Sequence, residues 1–283
     1  MSLVVVAPGM QALIQDAGRP GFGSSGVSPA GAFDRSALRQ ADALVANAPD
    51  AAGLEVLGGG LRLRATREHL VAVTGAVGAV LVDGHSAEHG RSVVLRPGQE
   101  LELGMFAVGL RAYVAVAGGF ETKPVLGSRS TDTLSGLGPD ALTDGTKLRV
   151  GFAATHAPDI VDVPALIATG STSVDVVPGP RDDWFTAAAV AALRSAAWTV
   201  SSTSNRIGIR LDGPELERSI TDELPSEPCV FGSIQVTSAG QPVALGPDHP
   251  VTGGYPVIAV VVDRHLDRLA QVRPGDTVRF LRA

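Results

Sequence analysis

Arg96-Pro97-Gly98-Gln99-Glu100-Leu101-Glu102-Leu103 and Arg273-Pro274-Gly275-Asp276-Thr277-Val278-Arg279-Phe280 are the stretches that decide the fold class. In each, Pro and Gly fill the middle of a tight turn. The residues that follow alternate between polar and apolar, or nearly so. A period of two puts one set of side chains on a core and the other in water, so each stretch is a turn feeding a half-buried strand. The same grammar runs through the chain, where 34 glycines and 19 prolines punctuate short Val, Leu and Ile runs. It predicts strands at 3–7, 61–64, 70–74, 79–82, 92–95, 100–103, 111–116, 147–150, 173–177, 206–211, 234–236, 257–262 and 277–281. Helices are few. One is capped by Asp34, carries Leu38, Ala41, Leu44 and Val45 as an apolar stripe, and ends near Asn47, before Pro49. An alanine-rich second runs from Asp182 or Asp183 to Trp198, and a short third covers 264–270. The class is mainly β, and the echo between the two turns hints at two related barrels.

At about 150 residues per domain, 283 residues make two domains or one large all-β unit. Pro158 and Pro164 mark a linker at 157–168. It divides the chain into a β-rich part, 1–160, and a second part, 161–283, with residues 1–55 open to packing against the second part. A net charge of -6 lacks the field that non-specific nucleic-acid binding requires. A lone cysteine, Cys229, excludes an intrachain disulfide framework. Only Lys123 and Lys147 are lysines, and neither sits in a Gly-Lys-Ser/Thr phosphate loop. The longest uncharged apolar stretches, 70–82 and 250–262, hold 13 residues each, against about 20 for a membrane span. Met1 to Ala17 has no basic residue to start a signal peptide, so a cytoplasmic location is expected.

Candidate chemistry gathers in two glycine-rich segments. Gln15-Asp16-Ala17-Gly18-Arg19-Pro20-Gly21-Phe22-Gly23, Gly26-Val27 and Gly31-Ala32-Phe33-Asp34 put an arginine and acids among residues that let backbone approach a ligand. Arg19 can clamp a carboxylate or phosphate, while Asp16 and Asp34 serve equally as turn and cap residues. Asp248-His249-Pro250-Val251-Thr252-Gly253-Gly254-Tyr255-Pro256 offers a carboxylate, two hydroxyls and a glycine pair suited to an anion-binding nest, or to a simple turn. Glu227 and Gln235 flank a hairpin, and Gly127-Ser128-Arg129-Ser130-Thr131 is an Arg-centred loop. No Gly-x-Ser-x-Gly elbow and no Gly-x-Gly-x-x-Gly fingerprint after a strand occur. His85 and His89 lie between glycines without a ligand pattern, so no metal site is expected.

Taken in order, these motifs, with Glu55, Gly118-Gly119, Arg206-x-Gly208-x-Arg210-Leu211, Ser226-Glu227-Pro228, Gly232-x-Ile234-Gln235 and Gly240-Gln241-Pro242, resemble the KipA-like family. That family is also called allophanate hydrolase subunit 2 or the biotin-dependent carboxyltransferase domain. The resemblance implies a two-part β-barrel architecture with a cyclophilin-like domain. It implies a KipI-like partner, which is the B subunit of 5-oxoprolinase, and a LamB/YcsF-like A subunit. Its leading implication is a subunit of an ATP-dependent 5-oxoprolinase that opens the lactam of 5-oxoproline to give glutamate. ATP would be held by a partner. The alternatives are a carboxyltransferase subunit that uses biotin to carboxylate urea or an amide, and a regulator binding a KipI-like kinase inhibitor. On this resemblance Arg19 and Arg206 hold a carboxylate or phosphate, and Asp16, Glu227 or Asp248 is the base. Gln235, Thr252 and the Gly253–Gly254 amides polarise the carbonyl, with Gln15, Asp34, Arg129 and Tyr255 also lining the substrate site. Ala41-Asp42 stands where the family often has Ala-Asn.

Overall fold

The computed structural model describes residues 2–153, 163 and 170–283. The expected linker and the boundary between 160 and 161 lie outside the described residues. The chain forms two compact units. Of the described residues, the first holds 2–19, 34–132, 136–153 and 163; the second holds 20–33, 133–135 and 170–283.

The first unit is built from two sheets. One runs in the order Phe120–Glu121, Lys147–Val150, Leu3–Pro8, Leu61–Ala65, Glu100–Leu103, Val80–Val82 and His85–Ser86. The other runs Gln11–Gln15, Gly53–Leu57, Val108–Val116, His69–Val77 and Ser92–Leu95. Their apolar faces share one core containing Leu3, Leu63, Leu101, Val56, Val73 and Val114. The alternation that marked these strands is visible in Leu61–Ala65: Leu61, Leu63 and Ala65 are buried, while Arg62 and Arg64 point outward to Glu100. Helix α1, Arg35–Ala43, lies on the strands Val108–Val116 and His69–Val77. Its predicted stripe, Leu38, Ala41, Leu44 and Val45, is buried.

The second unit is a closed barrel. Its strands run Ser171–Pro178, Val257–Val261, Ser233–Val236, Pro242–Leu245, Gly208–Asp212, Trp198–Val200 and Thr277–Arg282. Parallel pairing of Ser171–Pro178 with Thr277–Arg282 completes the ring and removes both edges. The core includes Trp198, Ile234, Val278 and Phe280, all fully buried. The predicted helix to Trp198 is shorter. A 3-10 turn, Asp182–Trp184, precedes α2, Ala187–Ser195, and Trp198 begins a strand. Its indole Nε1 donates to Leu193 O at 2.9 Å, which fastens the strand beneath the helix end. The third helix, α3, is Leu266–Leu269 after a 3-10 turn.

The two deciding turns are built alike. Gln99 N donates to Arg96 O while Gln99 Oε1 accepts from Arg96 N. Asp276 repeats both bonds with Arg273. Gly98 and Gly275 each take the left-handed φ that the third turn position requires. The mainly β, barrel-containing class read from these turns is the one found.

Candidate functional site

The strand Gln11–Gln15 delivers Asp16 and Arg19 to a loop that returns at 125–131. Asp16 Oδ1 accepts from Gly18 N at 2.8 Å and from the hydroxyls of Ser128 and Ser130 at 2.6 Å each. Asp16 Oδ2 accepts from Arg129 N at 2.6 Å. Arg19 is 1% exposed, donates from Nε to Val125 O at 3.4 Å and from Nη2 to Ser130 O, and keeps Nη1 without a partner. Gln15 is fully buried, donates from Nε2 to Thr131 O at 2.9 Å, and keeps Oε1 without a partner. So Gln15, Asp16, Arg19 and the loop of Arg129 converge, and these bonds of Asp16 tie the loop to itself.

Asp34 lies in a second cluster of the same unit. Its carboxylate caps α1 by accepting from Ala37 N at 2.9 Å, and its own N–H donates to Tyr113 OH at 2.7 Å. Tyr113 donates to Glu55 Oε2 at 2.8 Å, and Arg111 Nε approaches Glu55 Oε1 at 3.4 Å. Glu55, Arg111 and Tyr113 are all at most 3% exposed. Burial, then the charge of Glu55, pushes the Tyr113 phenol well above its ordinary value, so it stays a neutral donor. The sequence reading did not assign this network. Its only signal was charge inside otherwise apolar strands.

In the second unit, Arg206 and Asp248 form a buried bidentate pair. Nε donates to Oδ2 at 2.9 Å and Nη2 to Oδ1 at 2.8 Å, with exposures of 3% and 0%. Arg206 Nη2 also donates to Gly31 O at 2.6 Å. Thr133 adds its N–H and hydroxyl to Asp248 Oδ2 at 2.9 and 2.6 Å. A carboxylate bonded in this way holds Arg206 and Thr133 in place. The bonds of Asp16 do the same for its own loop.

Glu227 is paired as well, but in the open. Arg181 Nε donates to both oxygens at 2.9 Å, and Nη2 also reaches Oε1. The side chains are 35% and 27% exposed. The hydrogen bonds from Arg181 hold the Glu227 carboxyl below its ordinary range, so it is ionised at neutral pH. Glu227–Pro228 pairs antiparallel with Thr252–Gly253. Gln235 Nε2 reaches Tyr255 O at 3.2 Å and Cys229 Sγ at 3.3 Å. Glu227, Gln235, Thr252, Gly253 and Tyr255 are thus brought together, with Thr252, Gly254 and Tyr255 exposed. Gly253 and Gly254 do not form the expected nest, since neither takes the left-handed conformation a nest needs. A Cβ at Gly253 would stand 2.4 Å from Gln235 Nε2, so the end of that side chain would have to shift.

Among the described residues no group of His, Cys, Asp and Glu is placed to hold a metal ion, and no helix is long and apolar enough to cross a membrane. A depression of about 410 Å³ in the first unit, lined by His85, Glu88, Arg91, Ser92, Val94 and Arg96 among others, contains none of the expected site residues.

A mainly β chain with a closed barrel and arginine–carboxylate loop clusters is the build of a carboxyltransferase domain. The chain belongs to that family: the carboxyltransferase domain, subdomain A and B, matches residues 25–282. It is 36% identical over 282 residues to the C subunit of 5-oxoprolinase from Escherichia coli, covering 99% of this chain and 90% of that protein. It is 33% identical to the C subunit of 5-oxoprolinase from Haemophilus influenzae, covering 95% of this chain and 87% of that protein. The crystal structure of the K. lactis urea amidolyase superposes with a TM-score of 0.93 at 28% identity, over 99% of this chain but only 18% of the amidolyase.

Proposed function

We propose that this chain is a subunit of a 5-oxoprolinase, working with partner subunits and ATP to open the lactam of 5-oxoproline to glutamate. One observation carries the reading. The chain matches nearly the full length of two proteins named as the C subunit of 5-oxoprolinase, whereas it is a small fraction of the urea amidolyase it resembles. Ring opening breaks the lactam C–N bond, places a hydroxyl on the carbonyl carbon and a proton on the departing nitrogen. Amide resonance resists this in water; ATP, held on a partner in a cytoplasmic complex, would supply the activation of the carbonyl oxygen and be spent to ADP and phosphate. The partners are a KipI-like B subunit and a LamB/YcsF-like A subunit.

Within this chain, Arg19 holds the substrate carboxylate. Asp16 and Asp248 keep the loops of Arg19 and Arg206 in shape. In the second unit, Glu227 is ionised and partly exposed and stands with Gln235 and Thr252 in a further polar cluster. The test is glutamate release by the complex reconstituted with its partners. Turnover should need ATP, and Arg19→Ala should lower kcat/KM by ~10- to 100-fold, chiefly by raising KM, as for a lost contact to the substrate carboxylate. A complex that needs biotin and bicarbonate instead would establish the carboxyltransferase reading, which the urea amidolyase relatives favour.

A further inference from the structure

We infer that Gln15 and Arg19 form a subsite that reads an N–H and an anionic oxygen of one small carboxylated amide, with Gln15 selecting for the N–H. Both side chains are more than nine-tenths buried, and each leaves one polar atom without a partner: Gln15 Oε1, an acceptor, and Arg19 Nη1, a donor. Gln15 Nε2 donates to Thr131 O and Arg19 Nη2 to Ser130 O, so both head groups are tied to consecutive residues of one loop. Buried polar atoms are almost always satisfied, so an acceptor and a donor left over on one loop call for partners, which a ligand carrying both an N–H and an anionic oxygen supplies.

The charge balance points the same way. Among the described residues Arg19 has no carboxylate partner, and the Asp16 carboxylate spends its bonds on Gly18, Ser128, Arg129 and Ser130. Arg129 adds a second positive charge on the same loop, its guanidinium likewise without a partner among the described residues. A buried guanidinium lacking a counter-ion is strongly disfavoured unless an anion joins it. In a lactam acid the carboxylate hangs from the carbon next to the ring N–H, so one edge of the molecule offers an acceptor and then a donor. The loop 125–131 takes the bonds of both side chains at Val125 O, Ser130 O and Thr131 O, and turns tightly at Leu126, φ 52°, and Gly127, φ 82°.

The choice of 5-oxoproline as ligand rests on the function proposed above, so the experiment separates the two. Binding of 5-oxoproline and of N-methyl-5-oxoproline is measured by calorimetry on the assembled complex, wild type and Gln15→Leu, with glutamate release followed in the same preparation. Wild type should prefer 5-oxoproline by ~10- to 100-fold, the usual cost of leaving a buried acceptor unmet. Gln15→Leu should bring that ratio close to one. The wild-type ratio needs no variant, so a Gln15→Leu protein that fails to fold does not rescue the idea. Equal affinities for the two ligands overturn the subsite even if glutamate is released, and so does binding of neither. Selectivity retained in Gln15→Leu also overturns it, since the orphan atoms then hold only a buried water. Selective binding without glutamate release supports the subsite and removes the 5-oxoprolinase reading.

Discussion

Replacing Asp42 with asparagine tests how the end of α1 is held. Asp42 is the last residue but one of the helix, is 1% exposed, and accepts from Asn47 Nδ2 at 2.9 Å on Oδ1, while Oδ2 has no partner. Burial, partly offset by the Asn47 bond and reinforced by Asp50, raises its pKa from 3.8 to about 7. A negative charge at a helix C-terminus is unfavourable as well. Between those two pH values the folded protein binds more protons than the unfolded one, so stability falls as pH rises through this window and levels off above about 7. At 1.36 kcal/mol per unit, the loss is about 4 kcal/mol. Asparagine keeps the oxygen that Asn47 needs and, like the protonated acid, points an unpartnered donor at the Oδ2 position. The two proteins should therefore agree within about 1 kcal/mol near pH 4, and the variant should be more stable by about 4 kcal/mol at pH 8. Both tryptophans, Trp184 and Trp198, lie in the second unit, so their fluorescence would miss the effect. Native-state hydrogen exchange at the amides of α1 and of Val108–Val116, corrected for intrinsic rates, reads it directly. Stability profiles that stay parallel from pH 4 to pH 8 would refute the reasoning and mean that the carboxylate is ionised throughout.

Two further outcomes follow from packing. A Cβ at Gly213 would stand 2.6 Å from the Trp198 ring, which is fully buried and fastened by its Nε1, so Gly213→Ala should cost about 1–3 kcal/mol. A lowered denaturation midpoint with a shifted Trp emission checks it; an unchanged midpoint would mean the ring moves freely. Asp248→Ala leaves Arg206 buried without its counter-ion and should cost about 3–5 kcal/mol, whereas Arg206→Met with Asp248→Leu should recover most of that loss. Urea unfolding of the single and double variants measures the coupling, and additive losses would count against a tight pair.

Strands were legible where their two faces differ. Leu61–Ala65 alternates between leucine and arginine because one face meets the core and the other meets water. Gly53–Leu57 was missed because Glu55 sits in its middle, and a lone acid reads as a surface residue until Arg111 and Tyr113, more than 50 positions away, are seen to enclose it. Trp198 was placed on a helix because alanine-rich sequence runs almost up to it, and nothing local says that the barrel needs that indole as core. The loops of the candidate site were legible for the opposite reason. Glycine, serine, acid and arginine packed into a few positions have little use in a core, so Gln15 to Arg19 and 127–131 stood out. What spacing could not supply is who binds whom: Ser128 and Ser130 meet Asp16 across 112 and 114 positions, and Asp248 meets Arg206 across 42. The pairings say what each acid holds. Asp16 and Asp248 are buried and tied to the loops around them, and Glu227, though partly exposed, is paired through both oxygens with Arg181.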